Sequence, residues 1–147
     1  HMGDIALAGV DLERNASVGI EFGNQVTPEN DDGEVFAKSL NIDQVQPVVT
    51  VATHDVSKFG NGAGQIPLRG LLATHADTSI VLRKRVIGTG SFATGTSHLR
   101  FTVGGVVTCK ETTASGNAPF SMTSMLTSLD DGTNDMLTVD TAYDLGA

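Results

Sequence analysis

Histidine and aspartate are the residue types in this sequence that could bind a transition metal. His54 and His75 each follow an Ala-Thr pair and each lie close to an aspartate, which is a ligand combination that zinc accepts. They are 21 residues apart, and His98 lies a further 23 residues along the chain, so no pair has the spacing that aligns two side chains on one helix or strand. The spacing therefore favours surface or loop histidines, and no metal site is predicted from them.

An acidic turn in the last fifth of the sequence offers a different kind of metal ligand. Asp130, Asp131, Asn134 and Asp135 place several oxygen atoms within six residues, which suits a hard cation such as Ca²⁺. The turn lacks the glutamate that a helix-loop-helix calcium site needs at its twelfth position, and no helices are predicted on either side. Asp, Asn and Gly are also the ordinary residues of a hairpin turn. We expect a turn, with a weak Ca²⁺ site as the alternative.

Nucleophilic catalysis and phosphate binding have weaker signals still. Cys109 is the only cysteine and lies in a predicted strand, where a cysteine is usually a small apolar core residue. No serine lies in a Gly-x-Ser-x-Gly elbow. The glycine-rich residues 60–65 lack the Gly-Lys-Ser/Thr ending of a phosphate-binding loop, and no helix is predicted after them. We therefore predict a protein that is not an enzyme and that has no cofactor.

Charge is strongly segregated along the chain, whose net charge is −8. Residues 1–34 contain eight acidic residues and one basic residue, and residues 111–147 contain six acidic residues and none that is basic. Between them, residues 58–110 contain seven basic residues against Asp77 alone. Such blocks can neutralise each other within one subunit, or they can present opposite charges to neighbouring copies.

Three arginines of the basic block fall on the polar faces of two predicted strands. Arg83, Arg85 and Arg100 would then form a basic stripe on one face of a sheet. The stripe is either solvated or a docking surface for an acidic partner. Binding to nucleic acid is disfavoured, because the cluster is short, aromatic residues are not interleaved with it and the net charge is negative.

A glycine-rich segment, residues 58–65, begins with Lys58 and Phe59. Its glycine content predicts a mobile loop, or a segment that becomes ordered only on a partner. We therefore add Lys58 and Phe59 to the three arginines as the predicted interface for oligomer formation or partner binding.

The elements that must position these residues are predicted to be strands, because apolar residues alternate with polar ones and windows with helical periodicity are missing. A short helical turn over residues 67–74 is the one exception. The pair Gly104-Gly105 lies between two β-rich stretches and predicts a two-residue hairpin turn. The predicted strands are residues 17–22, 45–52, 79–87, 97–103, 106–112, 120–129 and 136–141.

Seven to eight short strands with at most one short helix predict an all-β fold, namely a single-domain antiparallel β-sandwich or small barrel. We assign this domain to residues 3–147 and interpret residues 1–2, His-Met, as a scar left by cloning. No stretch is apolar enough to span a bilayer, and the acidic start is unlike a signal peptide, so no membrane association is predicted.

The basic stretch Leu82-Arg83-Lys84-Arg85, the strand at residues 97–103 and the turn and strand at residues 131–139 together resemble small virion structural proteins of tailed bacteriophages, such as tail or tail-tube components. The resemblance covers about residues 66–145 and is carried by strand and turn patterns. It implies a compact β-sandwich or barrel that assembles by charge and edge complementarity, without a cofactor or catalysis. The long helix usual in tail-tube proteins has no candidate in this sequence.

These observations predict a non-enzymatic structural protein that self-associates through charge-complementary β surfaces. Its partners would be copies of itself or other virion proteins, and its location would be the virion, or the cytoplasm before assembly. The alternative is a surface carbohydrate-binding or adhesion module. The absence of tryptophan and the single tyrosine argue against this alternative, because sugar binding depends on aromatic platforms.

Overall fold

The computed structural model of the protein describes residues 2–29, 39–69, 76–114 and 120–144. Within these ranges the chain forms ten β-strands and a single turn of 3-10 helix, Val56–Lys58. The strands in chain order are β1 (Met2–Leu7), β2 (Val10–Leu12), β3 (Asn15–Glu21), β4 (Gln25–Glu29), β5 (Ser39–Gln44), β6 (Val48–Thr53), β7 (Ala76–Leu82), β8 (His98–Thr113), β9 (Ser121–Ser128) and β10 (Leu137–Tyr143).

Eight of the strands form one antiparallel sheet with the order β2-β1-β7-β8-β9-β6-β3, and β10 pairs with β8 beside this path. The two remaining strands, β4 and β5, form a separate hairpin. In the described part of the chain, β2 and β3 at the two ends of the order do not pair, so the sheet is not closed into a barrel. The prediction of an all-β antiparallel fold is confirmed, with the sandwich-like form in place of the barrel.

The core shows how this sheet becomes sandwich-like. Its buried side chains come from β1, β2 and β7 on one half of the sheet, from β6 and β9 on the other half and from β8 between them. Together with Phe59 and Ile66 they form one cluster. Alternate residues of β6 and β9 point into it, as the sequence pattern of a strand with one buried face requires. The sheet therefore curls until its two halves face each other across the cluster, which contains Ile5, Leu7, Val10, Leu12, Val49, Val51, Phe59, Ile66, Ile80, Val103, Val107, Met122 and Leu126.

The predicted hairpin turn at Gly104-Gly105 is wrong, because both glycines lie inside the 16-residue strand β8. Gly105 lies opposite Ala76 of β7 on one side and opposite Ser128 of β9 on the other. A Cβ atom at Gly105 would collide with the backbone of Thr127 and Ser128. The glycine is needed for this close approach between strands, at the point where β8 passes from one half of the sheet to the other.

Strands β4 and β5 continue the β3–β6 ladder outward. Glu21 pairs with Val48 at the end of that ladder, and Gln25 pairs with Gln44 after a gap of three residues. The register then shifts by one residue between Gln25 and Val26. Pro47, which has no N–H to donate, lies in the gap and interrupts the hydrogen bonding. Residues 22–29 and 39–47 thus form an extension of the sheet, which we call the arm.

The predicted helical turn at residues 67–74 lies partly outside the described residues. The described part, residues 67–69, is not helical. The strand predicted over residues 79–87 ends earlier, at Leu82, and the chain then forms a loop whose base is closed by a bridge between Arg85 and Phe92. The remaining predicted strands correspond to β3, β6, β9 and β10 within a few residues at each end.

Candidate functional site

The arm presents an apolar face to solvent. Val26 lies opposite Ile42, and Pro28 lies opposite Leu40, so alternation places all four side chains on one face. Val26 is 47%, Leu40 67% and Ile42 66% exposed. A hairpin of two strands is marginally stable by itself in water, and contiguous exposed apolar residues mark interaction surfaces. This surface, which we call the arm face, has the chemistry of a protein-binding site.

The opposite face of the arm is polar and internally hydrogen-bonded. Ser39 Oγ donates to Glu29 Oε2 at 3.0 Å, and Asn41 Nδ2 donates to Glu29 Oε1. These bonds join the two strands across the hairpin and hold the carboxylate of Glu29 on the face away from the apolar side chains. The arm is therefore amphipathic across its thickness.

An apolar groove opens on the body of the protein between β3 and the β7–β8 pair. It has a volume of about 450 Å³, and hydrophobic side chains line it throughout: Met2, Val18, Ile20, Phe22, Ile80, Leu82 and Phe101. Ile80 is fully buried at its floor, and Leu82, which is 38% exposed, lies at its rim. Phe22 at one end of the groove is also the first residue of the arm.

A larger groove of about 600 Å³ lies beside β1 and the turn that joins β2 to β3. Its lining includes Asp11, Glu13, Arg14 and Asn15, so it is polar where the groove at β3 is apolar. Arg14 adopts a left-handed backbone conformation with a φ of 53°, and Asn15 Nδ2 donates to Leu12 O at 2.7 Å, which shapes the turn.

Arg83 and Arg85, two residues of the predicted stripe, both lie near one aromatic ring. Their guanidinium carbons are 5.5 and 5.4 Å from the centroid of Phe92. Arg85 and Phe92 form a bridge that closes the base of the loop at residues 85–92, in which Ile87 is 99% exposed. Cations at this distance from a ring are attracted by its quadrupole, so the loop base is held by the arginines.

Arg100, the third residue of the predicted stripe, is bound within its own subunit. Its Nη2 atom lies 3.8 Å from Asp140 Oδ2, and its guanidinium carbon lies 4.2 Å from the centroid of Tyr143. Asp140 belongs to the acidic end of the chain and Arg100 to the basic middle. At this position the charge blocks neutralise each other inside the subunit, which is one of the two alternatives that the sequence left open.

The segment at residues 58–65 is closed by its own hydrogen bonds, in contrast to the expectation of a mobile loop. Gln65 donates from Nε2 to Ser57 O at 2.9 Å and accepts from the N–H of Gly62 at 3.0 Å. Phe59, predicted to lie in an interface, is 7% exposed and packs in the core of its own subunit. Lys58 ends the 3-10 helix and is partly exposed beside it.

The histidines are far less alike in the structure than their sequence contexts suggest. His54 Nδ1 lies 3.0 Å from Phe120 O, whereas His98 is buried and its Nδ1 accepts from the N–H of Lys84 at 3.3 Å. His75 lies outside the described residues. Among the residues that are described, no three His, Cys, Asp or Glu side chains are grouped as metal ligands would be.

Cys109 lies in β8 opposite Ser124 and is half-buried. Desolvation raises the pKa of the Cys109 thiol, and a hydrogen bond from the backbone of Glu111 opposes this effect. The raised pKa favours the protonated thiol, which is a poor nucleophile.

The acidic turn at residues 130–135 uses its carboxylates to bind backbone. Asp131 Oδ1 accepts from the N–H groups of Thr133 and Asn134, both at 2.8 Å, and Asp130 Oδ1 accepts from Gly132 N–H at 2.8 Å. Asn134 Nδ2 donates a hydrogen bond to the second carboxylate oxygen, Asp131 Oδ2, at 2.8 Å. Asp135, the fourth candidate ligand, is exposed. The arrangement is that of an Asx turn, in which the side chains replace backbone acceptors.

Comparison of the chain with protein-family models gives no match, and comparison with curated proteins gives no significant match. A search of the described residues for a helix long and apolar enough to cross a membrane finds none.

The arm face and the groove at β3 were not recognised from the sequence. Residues 25–29 contain a proline and alternate weakly, and the sequence Glu-Asn-Asp-Asp-Gly-Glu at residues 29–34 has the composition of an acidic turn. A single exposed apolar residue is common on a protein surface, so the sequence gives no reason to single out Val26, Leu40 or Ile42. The signal that could have found them is that two short apolar stretches flank an acidic turn, as in a hairpin.

Proposed function

We propose that this protein is a non-enzymatic structural subunit that self-associates, and that it is a virion component of the phage-tail type. The arm carries the proposal. Its apolar face is exposed in the single subunit, and each large apolar side chain that becomes fully buried stabilises a contact by about 1.5–3 kcal/mol. An exposed apolar face lowers the solubility of the free subunit. We therefore expect this face to be buried in an assembly.

Further support comes from the side chains that could take part in catalysis or metal binding, because the structure shows them in structural contacts. Asp131 binds backbone N–H groups, His98 accepts from Lys84 N–H, and burial raises the pKa of the Cys109 thiol. A carbohydrate-binding or adhesion module, the alternative, gains no support from the arm, because aliphatic side chains do not provide the aromatic platform on which a sugar stacks.

The experiment is a measurement of mass by light scattering after size exclusion, over a range of protein concentrations. A monomer has a mass of 15.3 kDa. We expect a mass that rises with concentration and rings or tubes in electron micrographs of concentrated samples. A constant mass of one subunit up to millimolar concentration would overturn the proposal, and binding of that monomer to a glycan array would support the alternative.

The matched variants for this experiment lie in the arm. Replacing Leu40 and Ile42 with serine removes the apolar face, whereas Leu40→Met with Ile42→Val preserves it. Both variants leave the buried core unchanged, because neither residue belongs to it. We expect the serine variant to remain monomeric at concentrations where the conservative variant and the wild type assemble.

A further inference from the structure

We propose that His98 is a pH-sensitive switch: its neutral ring binds the loop at residues 84–93 to β8, and protonation of the ring releases this loop. The inference concerns contacts within one subunit and does not depend on the proposed self-association. It assigns a role to a buried histidine that belongs neither to a metal site nor to the arm.

The loop at residues 84–93 is bonded internally. Ala93 N–H donates to Lys84 O and Val86 N–H donates to Ser91 O, both at 2.9 Å. Between these two hydrogen bonds lies the bridge that closes the base of the loop. Because its two sides are bonded to each other, the loop can change position as a unit.

A hydrogen bond from Lys84 N–H to His98 Nδ1, at 3.3 Å, joins this loop to β8. The ladder between β7 and β8 has its last pair at Leu82 and Leu99, so Lys84 lies beyond the regular strand pairing. The Lys84 peptide group has two contacts: its N–H is bonded to the His98 ring, and its C=O is bonded to the other side of the loop. The ring is thus the acceptor at the point where backbone pairing has ended.

The contacts of His98 show which form of the ring they accept. The residue is 1% exposed, and because its Nδ1 accepts a hydrogen bond the ring is neutral, with its proton on Nε2. Nε2 is buried and has no hydrogen-bond partner among the described residues. A buried donor without a partner is costly, and an apolar ring of the same size would avoid this cost. A change of protonation state is the property that histidine adds to an apolar ring at this position.

Protonation converts Nδ1 from an acceptor into a donor. The N–H of Lys84 would then face another N–H group, so the hydrogen bond that joins the loop to β8 is lost. The buried cation must also reach water or a new acceptor, because an unpaired charge in the interior is strongly disfavoured. Lowering the pH therefore favours release of the loop, since the released state binds the proton more readily than the closed state.

The charged groups around His98 act in the same direction. On the described elements that pair with or adjoin His98, basic residues outnumber acidic ones. The carboxylate of Asp140 already lies 3.8 Å from Arg100. A proton on His98 therefore adds positive charge to a basic environment. The groups are Arg100 of β8, Asp140 and Tyr143 of β10, Asp144 after β10, and Arg83, Lys84 and Arg85 after β7.

Release of the loop changes the surface that the subunit presents. Arg85, a residue of the predicted interface, belongs to the loop, and Ile87 in the same loop is 99% exposed. When the His98 ring is neutral, these side chains are fixed relative to β8. When the ring is protonated, they move with the loop, so proton concentration controls the position of a basic and apolar part of the surface.

The test measures the protection of the Lys84 amide against hydrogen exchange between about pH 7.5 and pH 5.5, where histidine side chains change charge. Protection is expressed relative to the exchange rate of an unstructured peptide at the same pH, which removes the direct effect of pH on exchange. NMR resonances of the His98 ring report its protonation in the same samples. The amides of β6 and β9 serve as the reference for unfolding of the whole subunit.

We expect the protection of the Lys84 amide to fall about three- to tenfold as the His98 ring gains its proton, which corresponds to the loss of one hydrogen bond. The amides of β6 and β9 should stay protected. His98→Asn places an amide oxygen near the position of Nδ1, so this variant keeps an acceptor for Lys84 N–H but does not titrate. Its Lys84 protection should be the same at both pH values. His54→Asn removes a histidine that contacts Phe120 O instead, and this matched control should keep the wild-type response.

Three results would overturn the proposal. Equal loss of Lys84 protection in the wild type and in His98→Asn would show that another group is responsible. A His98 ring that gains a proton while the Lys84 amide stays protected, or that gains none over this range, would show that the ring is not a switch. Loss of protection throughout β6 and β9 would show unfolding of the whole subunit in place of release of the loop. If circular dichroism shows that His98→Asn is unfolded, the ring and amide measurements on the wild type and His54→Asn decide the question by the last two criteria.

Discussion

Arg100 lies over the ring of Tyr143, with its guanidinium carbon 4.2 Å from the ring centroid. The same side chain lies 3.8 Å from the carboxylate of Asp140, so a cation of the basic block is held between an aromatic ring and an acid of the C-terminal block. The pair joins β8 to β10, which contacts the sheet through β8. Arg100 therefore has a structural role within the subunit, and the charge available to a partner belongs mainly to the other basic residues.

Replacement of Tyr143 tests this stacking. Tyr143→Leu removes the π face and should lower the free energy of unfolding by about 0.5–1 kcal/mol, the magnitude of a cation–π contact at a partly exposed site. Tyr143→Phe keeps the ring and should cost less. Urea denaturation followed by circular dichroism measures both, and an equal loss in the two variants would show that the hydroxyl group matters rather than the ring.

Replacement of Gly105 tests the close approach of β8 and β9. Gly105→Ala places a Cβ atom against the backbone of Thr127 and Ser128, and backbone cannot move aside as a flexible side chain does. We expect a loss of about 2 kcal/mol or more in the free energy of unfolding. Gly19→Ala in β3, where a Cβ atom meets nothing, is the matched control and should be neutral or slightly stabilising. Similar stability of the two variants would argue against the close contact.

The burial of Cys109 predicts a specific dependence of stability on pH. Because the pKa of its thiol is raised in the folded protein, the unfolded chain ionises first as pH increases. Stability is unaffected below the usual thiol pKa of about 8.5 and is lost as pH rises above it towards the folded value. The free energy of unfolding of the wild type should fall more steeply between pH 8 and 10 than that of Cys109→Ala. Parallel curves for the two proteins would show that Cys109 is not desolvated.

Calcium is expected to have little effect on the acidic turn. Asp131 Oδ1 already accepts from the backbone N–H groups of Thr133 and Asn134, and Asp131 Oδ2 accepts from the side-chain amide of Asn134. An ion must therefore compete with these donors. Millimolar Ca²⁺, or its removal by EDTA, should change Tm by no more than about 2 °C. A larger rise with Ca²⁺ that disappears in Asp131→Ala would show that the turn is a cation site.

The strands with one buried face could be predicted from the sequence. The β-branched content of residues 48–53 predicts β6 as a strand. Which face is buried is not visible in the residue types, because Thr53, Ser124 and Ser128 are among the buried alternate positions of β6 and β9. Strands β1 and β2 were missed because their connection, Ala8-Gly9, is not a strong turn signal. The structure requires a φ of 51° at Ala8, a conformation that alanine rarely adopts and that sequence preference does not anticipate.

The misreadings at Gly104-Gly105 and Phe59 share one physical cause. A glycine pair predicts a turn when positive φ angles are the reason for glycine, but at Gly105 the reason is the backbone of β9, which is distant in sequence. Phe59 stands at the start of a glycine-rich segment, yet its ring reaches the core beside Ile66, with which it forms a parallel bridge. Both outcomes depend on tertiary contacts that local patterns do not contain.

Amide hydrogen exchange at two protein concentrations tests the central claim, that the arm is the element of self-association, most directly. At low concentration the amides of β4 and β5 should exchange rapidly, since this hairpin lies outside the core, while those of β6 and β9 should be protected. At a concentration where light scattering detects assembly, protection should increase in β4 and β5 and remain unchanged in β6 and β9. An assembled sample in which the arm amides exchange as rapidly as in the dilute sample would contradict the account.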